Sequence, residues 1–389
     1  MRRPAPRRAD AIRTPGAGAA ALLLLTVLAG ACRGVGEATV PGPVSLTPAT
    51  TGSQVGRLTA EAGAVEIHYL GVGGWVVRTP RSVLLTGTLL TRPSLLEVGF
   101  GARLAPDGEA IERGLRVLGA PPLDDAVAIL LGHGHYDHAL DVPWLLAGPA
   151  PRARVLTNRT AQLQLTPFAR VLGFDPDRIE DVGARAADHD SPGEWIQVAP
   201  DLRVLPVAGD HAPHIEGQIL FSGIRRSPLP GVPGPAAEWL DGASISFLVD
   251  VLNPDGSVGL RIYYEDAIPR EPAGLIPPPE ILGDSIPVDI AFLVPNSFAQ
   301  ARWYPEFLVQ NLRPTMVLVE HWEDFFRPVT DPVRPLLLSN VAAFLTRTRR
   351  IMGCEECVLV PEPGARLSVP PVGGGGPRLH PPARRAEGG

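Results

Sequence analysis

The chain of 389 residues contains no lysine, so all 35 of its basic residues are arginine. Only three cysteines are present, and aromatic residues make up 6% of the sequence. The net charge is −6, and no basic run is dense enough to follow a phosphate backbone, which argues against a nucleic-acid partner or substrate. The 45% of hydrophobic residues suffice to bury a sizeable core. The composition therefore predicts a globular protein, for which one large domain is the simplest organisation at this length.

Long hydrophobic runs are also scarce. The apolar segment 17–31 follows an arginine-rich stretch and is too short to span a membrane, which is typical of a secretory signal peptide over residues 1–31. It ends Ala29-Gly30-Ala31-Cys32, which resembles a bacterial lipoprotein cleavage site, although Ala29 stands where a larger aliphatic residue is usual. We expect lipidation of Cys32 and a membrane-anchored lipoprotein on the periplasmic or outer face of a bacterial membrane, with simple cleavage as the alternative.

The other two cysteines, Cys354 and Cys357, are expected to form a local disulfide in an oxidising compartment, with a second metal site or a redox centre as alternatives. Glycine, proline, serine and threonine dominate residues 32–62, which predicts a flexible tether. The glycine run and the proline- and arginine-rich end predict a disordered tail over residues 363–389. Residues 63–362 remain as the folded domain.

Within that domain, short apolar runs alternate with segments of helical pattern, which indicates an α/β fold. Asn158 is expected to cap a helix, and Asn253-Pro254-Asp255-Gly256 predicts a hairpin turn. Further helices are predicted from residues 139 to 146, 303 to 312 and 332 to 346. A proline-rich insertion, 224–241, is expected to shape access to the site.

The most informative stretch is Gly132-His133-Gly134-His135-Tyr136-Asp137-His138, directly after the apolar run 126–131. A turn at the carboxyl end of a strand is where ligand loops lie in layered α/β folds. In an extended segment, residues two apart share a face, so His133 and His135 can reach one centre while Asp137 and His138 reach another. Imidazole nitrogen and carboxylate oxygen are ligands that suit zinc, and also iron or manganese.

This H-x-H-x-D-H arrangement resembles the metal-binding motif of the metallo-β-lactamase-fold hydrolases. The resemblance extends from about residue 65 to residue 361 and implies a four-layer αββα sandwich with a single catalytic domain. It is closest to the branch that holds the lactonases and the N-acylphosphatidylethanolamine-hydrolysing phospholipase D.

The resemblance also implies the rest of a site for two divalent metal ions, zinc first and iron or manganese as alternatives. His133, His135 and His211 would hold one ion, with His214 in reserve for His211, and Asp137, His138 and His321 the other. Asp266 would lie between the ions, although Glu265 stands where the family has glycine. The family's usual aspartate after the third strand is replaced by Thr86, which predicts a different support for the metal loop.

The implied function is a dinuclear hydrolase in which a hydroxide shared by the metals cleaves a phosphodiester, lactone or related ester bond. Asp137 and Asp266 are the predicted catalytic carboxylates, and the predicted substrate is a small or lipid-like molecule. Tyr136, His214 and Trp322 are candidate substrate contacts, with core packing as the alternative for Trp322. An inactive metal- or partner-binding lipoprotein is the main alternative. β-Lactam hydrolysis is a further one, which Asp266 disfavours because true β-lactamases of this fold generally lack that aspartate.

Overall fold

The computed structural model describes residues 55–382, in which fifteen strands form two sheets. The strands are β1 Val65–Gly71, β2 Gly74–Arg78, β3 Val83–Thr86, β4 Ala126–Leu130, β5 Arg154–Thr157, β6 Ile179–Asp181, β7 Ile196–Ala199, β8 Leu202–Ala208, β9 Ile245–Leu252, β10 Val258–Tyr264, β11 Ile290–Leu293, β12 Met316–Val319, β13 Val358–Leu359, β14 Arg366–Val369 and β15 Arg378–His380. Eight α-helices accompany them: α1 Leu95–Gly99, α2 Gly108–Val117, α3 Tyr136–Ala139, α4 Val142–Ala147, α5 Arg159–Leu172, α6 Pro279–Leu282, α7 Glu306–Leu312 and α8 Val341–Met352.

Each sheet combines an antiparallel half with a parallel half. The first sheet has the order β15-β14-β1-β2-β3-β4-β5-β6, and its strands are parallel from β3 to β6. The second has the order β13-β12-β11-β10-β9-β8-β7, and its strands are parallel from β10 to β13. Parallel neighbours end at the same edge of a sheet, so each sheet presents a row of loops there.

The helices cover the outer faces of the two sheets. One apolar cluster joins the facing sides of both sheets and continues to Phe307 on α7 and Phe344 on α8. A second cluster packs the other side of the first sheet against α2, α4 and α5, through Ile111, Leu145 and Phe168 among others. The predicted α/β fold with a four-layer αββα sandwich is therefore confirmed.

Local sequence signals account for several elements. The Asn158 side chain accepts a hydrogen bond from the backbone N–H of Ala161 at 2.9 Å and so caps α5, as predicted. The predicted hairpin joins β9 and β10, and Gly256 provides the left-handed conformation of its turn with φ of 83°.

The predicted boundaries of the folded domain, 63 and 362, leave out residues at both ends that pack with it. Val55 and Leu58 are buried in the core, and Arg57 makes an ion pair with Asp289 at 2.8 Å, so the packed chain already includes part of the predicted tether. The predicted tail is wrong for residues 366–380, because β14 pairs with β1 and β15 with β14. The predicted signal peptide, the lipidation site Cys32, the tether up to residue 54 and residues 383–389 lie outside the described residues.

The predicted helix over 332–346 is displaced. Residues 332–340 form turns that contain Pro332 and Pro335, and α8 begins only after Asn340, whose side chain accepts a hydrogen bond from the N–H of Ala343 at 3.0 Å. The helix predicted from 303 is shortened to α7, which begins at Glu306 after Pro305. The helix predicted over 139–146 starts earlier and is divided into α3 and α4.

Cys354 and Cys357 form the expected local disulfide, directly after α8. Within residues 55–382, no helix is long and apolar enough to cross a membrane.

Candidate metal centre

The histidine motif forms the turn between β4 and α3, and its glycines are needed because neighbouring atoms leave no room for a side chain. A Cβ on Gly132 would lie 2.7 Å from Cγ of Asp266, and one on Gly134 would overlap the Leu240 carbonyl. His135 occupies the position before α3, and Asp137 and His138 lie within its single turn. The motif thus combines an extended segment with a helical turn, which separates its two pairs of ligands.

The remaining predicted ligands come from the second sheet. Strands β8 and β10 both run antiparallel to β9 and therefore point the same way, and β12 is parallel to β10 through β11. His211, Asp266 and His321 follow β8, β10 and β12 within three residues. They therefore meet at one edge of the second sheet, opposite the motif turn of the first.

The first predicted ligand group is closely packed. One ligand atom from each of His133, His135 and His211 lies within 4.8 Å of the others. The distance from Nε2 of His133 to Nδ1 of His135 is 3.1 Å, and the His211 ring centroid lies 5.0 Å from each of the other two. The three imidazoles surround a space of the size that a metal ion needs.

The second group adjoins the first. Oδ2 of Asp137 lies 3.3 Å from Nε2 of His321 and 3.9 Å from Nε2 of His138. Asp266 stands between the groups, with Oδ1 at 2.9 Å from Nδ1 of His133 and Oδ2 at 3.8 Å from Nδ1 of His138. All seven predicted ligands are thus brought together, while their individual roles stay predictions. Asp137, His138 and His133 also form a compact group of ligand atoms within 4.8 Å.

Most protonation states in the site suit a metal. Burial lowers the pKa of His135 and His211 well below the usual histidine value and that of His138 to about 3. Burial alone would raise the pKa of Asp137, but the attraction of His138 and His321 outweighs it and holds that pKa well below its usual value. These residues are therefore neutral imidazoles and an ionised carboxylate, as ligands must be.

His133 is the exception. Burial lowers its pKa, but Asp266 outweighs burial and leaves the pKa raised.

Two of the predicted ligands each have one ring nitrogen without a partner. Nε2 of His135 and Nδ1 of His138 are buried without a hydrogen-bond partner in the protein. Buried polar atoms are rarely left unpaired, and both nitrogens belong to predicted ligands of different metals. The nitrogen and oxygen donors fit zinc, with iron and manganese as alternatives.

A hydrogen-bond network outside the ligand set positions His321, which has a left-handed backbone with φ of 52°. Its N–H donates to the carbonyl of Val72 at 2.7 Å, and Val72 is itself left-handed with φ of 57°. The Glu323 carboxylate accepts the N–H of Val72 at 2.6 Å and the hydroxyl of Tyr69 at 2.8 Å. Two conformations that are rare outside glycine are thus held by one buried acid, which sequence analysis did not identify.

Thr86 and Asp141 support segments next to the candidate site. Thr86 accepts the N–H of Trp75 at 2.7 Å and donates to the carbonyl of Gly73, so it braces the turn between β1 and β2. Asp141, three residues beyond the motif, accepts the N–H of Thr91 at 2.9 Å and holds the segment that follows β3.

The end of the proline-rich insertion is hydrogen-bonded to the histidine motif. The carbonyl of Asp241 accepts the N–H of Gly134 at 3.0 Å and the side-chain amide of Asn158 at 3.1 Å. Gln164 of α5 donates to the carbonyl of Gly134 at 2.9 Å. The insertion therefore fixes the motif backbone, a function that its sequence alone did not reveal.

Glu265, the residue before Asp266, has buried hydrogen-bond partners of its own. Its buried side chain accepts hydrogen bonds from the hydroxyl of Tyr304 and from the N–H of Val294, on the core side of the strand end. Burial raises the pKa of Glu265 to about 8, so the residue is largely neutral at pH 7.

The three candidate substrate contacts have different surroundings. Tyr136 is buried among the side chains between the first sheet and its helices, and Trp322 is buried with its Nε1–H donated to the Pro361 carbonyl at 2.9 Å. Both rings belong to the buried apolar clusters. His214 lies beside the ligands, with its ring stacked on His211 at 4.5 Å and 5.6 Å from His135. Phe325, which packs on His321 at 5.1 Å, is an aromatic neighbour instead.

The chain matches no protein-family model and no curated protein. Among solved structures it is similar to Igni18, a metallo hydrolase from the archaeon Ignicoccus hospitalis, with 16% identity, a TM-score of 0.43, and coverage of 78% of this chain and 98% of that one. It is similar to the metallo-β-lactamase fold protein YhfI from Bacillus subtilis, with 11% identity, a TM-score of 0.43, and coverage of 79% and 99%. A metallo-β-lactamase from Cronobacter sakazakii shares 17% identity, with a TM-score of 0.29 and coverage of 61% and 79%. An activity for this chain has to be argued from its own site.

Proposed function

We propose that the protein is a dinuclear metal-dependent hydrolase that cleaves a phosphodiester, lactone or related ester bond. The observation that carries the proposal is the meeting of seven ligand-type side chains at the ends of β4, β8, β10 and β12, where two groups of three residues each have their ligand atoms within 4.8 Å of one another.

Each of the seven side chains has a proposed role. His133, His135 and His211 would hold one metal, Asp137, His138 and His321 the second, and Asp266 both. Divalent metals in such a site supply a water of lowered pKa and polarise the bond to be cleaved. Asp137 is ionised and lies at the second group, where it can orient the attacking water or accept its proton.

An aromatic neighbour of the ligands supports a substrate with an apolar part. Phe221 lies 6.4 Å from His135 and is only partly buried. This ring lies beside the first ligand group, as would suit a lactone or a lipid-like ester. A lipid anchor at Cys32, which we also propose on the sequence of the cleavage site, would place such a site at a membrane surface.

The test combines metal analysis with three substrate classes: bis-p-nitrophenyl phosphate, a lactone and a cephalosporin. We expect two metal ions per chain and hydrolysis of the phosphodiester or the lactone. His135→Ala should lower the activity by at least about 100-fold, because it removes a ligand rather than a supporting residue. His189→Ala changes an exposed histidine of a polar loop and serves as the control.

Less than one metal per chain, or full activity of His135→Ala, would overturn the proposal. Two metals without any hydrolysis would favour the binding lipoprotein.

A further inference from the structure

His214 lies next to the first ligand group without belonging to it. Its ring is stacked on His211 at an interplanar angle of 29°, with the ring centroids 4.5 Å apart, and its centroid lies 5.6 Å from that of His135. The compact ligand groups among the described residues do not include it. His214 is partly exposed, unlike the fully buried His133 and His135 beside it.

A backbone hydrogen bond fixes the tautomer of this imidazole. The N–H of Leu220 donates to Nδ1 of His214 at 3.1 Å, which leaves Nδ1 without a proton. The proton of the neutral ring must then be on Nε2, so this nitrogen has no free electron pair for a metal and acts as a donor.

The loop that carries His214 is held from several sides. The N–H of His214 donates to the carbonyl of Gln218 at 2.8 Å, and the hydroxyl of Ser297 donates to the carbonyl of His214 at 3.2 Å. Glu216 and Gly217 both have a left-handed backbone and close the turn between them. The imidazole is therefore held in place before any substrate binds, as an effective hydrogen-bond donor should be.

We infer that His214 is a substrate-contacting residue whose Nε2–H donates a hydrogen bond to the substrate oxygen on which negative charge develops during ester or phosphodiester cleavage. The inference rests on the proposed function and assigns to His214 a role distinct from metal binding. Another nearby side-chain donor, the amide of Asn296, is already engaged by the carbonyl of His321.

The tautomer can be tested on the metal-free protein, apart from any activity. Long-range ¹H–¹⁵N spectra should show the His214 ring with its proton on Nε2 and an unprotonated Nδ1. A proton on Nδ1 would overturn the inference.

Kinetics of the metal-loaded enzyme test the role. His214→Ala should lower kcat by about 100-fold with little change in KM, as the loss of one preorganised donor does, while the metal content stays as in the wild type. His214→Gln retains an N–H donor and should recover part of the loss. Unchanged kcat in His214→Ala, or loss of a metal ion from it, would overturn the inference while the wild type still hydrolyses substrate. A wild type with bound metal and no hydrolysis would instead overturn the proposed function, and this role with it.

Discussion

At the scale of single residues, the candidate metal site depends on glycine, which leaves room for other groups to approach the backbone closely. Gly132 donates its N–H to Oδ2 of Asp266 at 2.7 Å, and the same approach leaves no space for a methyl group. An alanine at position 132 would keep the N–H donor and add only a methyl group. The substitution therefore tests the close packing without removing the hydrogen bond to Asp266.

We therefore predict that Gly132→Ala displaces Asp266, destabilises the fold by about 1–3 kcal/mol and lowers the metal content. Urea unfolding of the metal-free protein and metal analysis of the loaded protein measure the two effects. Gly231→Ala is the matched control, since nothing lies within 4 Å of its added methyl group and its φ is not positive. Equal stability and equal metal content in both variants would show that the close approach to Asp266 is not required.

The sequence predicted which side chains meet at the candidate site, but not the surroundings of every neighbour. Each ligand follows an apolar strand, and this pattern is visible without a structure. Tyr136 illustrates the limit, because its orientation depends on the first turn of α3, which begins three residues earlier than predicted. The choice of His211 over His214 likewise became more than a preference only with the hydrogen bond from Leu220.

At the scale of elements, the two strands within the predicted tail, β14 and β15, escaped prediction. Arg366-Leu367-Ser368-Val369 alternates in polarity, and Leu367 and Val369 do point into the core while Arg366 is exposed. This polarity pattern covers only four residues, whereas the glycine-rich composition of the longer segment that follows favours disorder. The composition therefore led to the prediction of a disordered tail. Pairing with β1 stabilises β14 through contacts between residues about 300 positions apart, for example from the Ser368 hydroxyl to Glu66. Local sequence carries little information about such contacts.

This edge of the first sheet provides a pH prediction. His68 on β1 lies opposite Arg366 of β14, and burial together with the charge of Arg366 lowers its pKa to about 4 from 6.5. The unfolded chain therefore binds more protons than the folded one between these values, so stability should fall as the pH drops from 6.5 towards 4. After allowance for solvent screening of this half-buried group, we expect a loss of roughly 1–2 kcal/mol.

Chemical denaturation of the wild type and of His68→Gln at several pH values isolates this contribution, since the other titrating groups are common to both. The stability difference between the two proteins should change over the stated range and stay constant above about pH 7. A constant difference at all pH values would show that His68 keeps an ordinary pKa in the folded protein.

At the scale of the whole molecule, the site joins the two sheets. The motif turn belongs to the first sheet, whereas His211, Asp266 and His321 extend from the second. In the metal-free protein, the contacts across the site include those of Asp266 with His133 at 2.9 Å and of Asp137 with His321 at 3.3 Å. Bound metal would add bonds between the same elements, so metal binding and the docking of the two sheets should stabilise each other.

We accordingly predict that chelation lowers the thermal stability of the whole domain in one cooperative transition. A ligand at about 100 times its dissociation constant stabilises the folded state by about 2.7 kcal/mol per site, so removal of two ions should lower Tm by roughly 10 °C. Calorimetry of the protein with and without chelator, followed by return of zinc, measures the shift and its reversibility. His211→Ala should show a smaller shift, because it lacks one ligand from the second sheet. If the wild type contains two metals and its Tm is unaffected by their removal, the ions do not link the sheets and must be held by the motif turn alone.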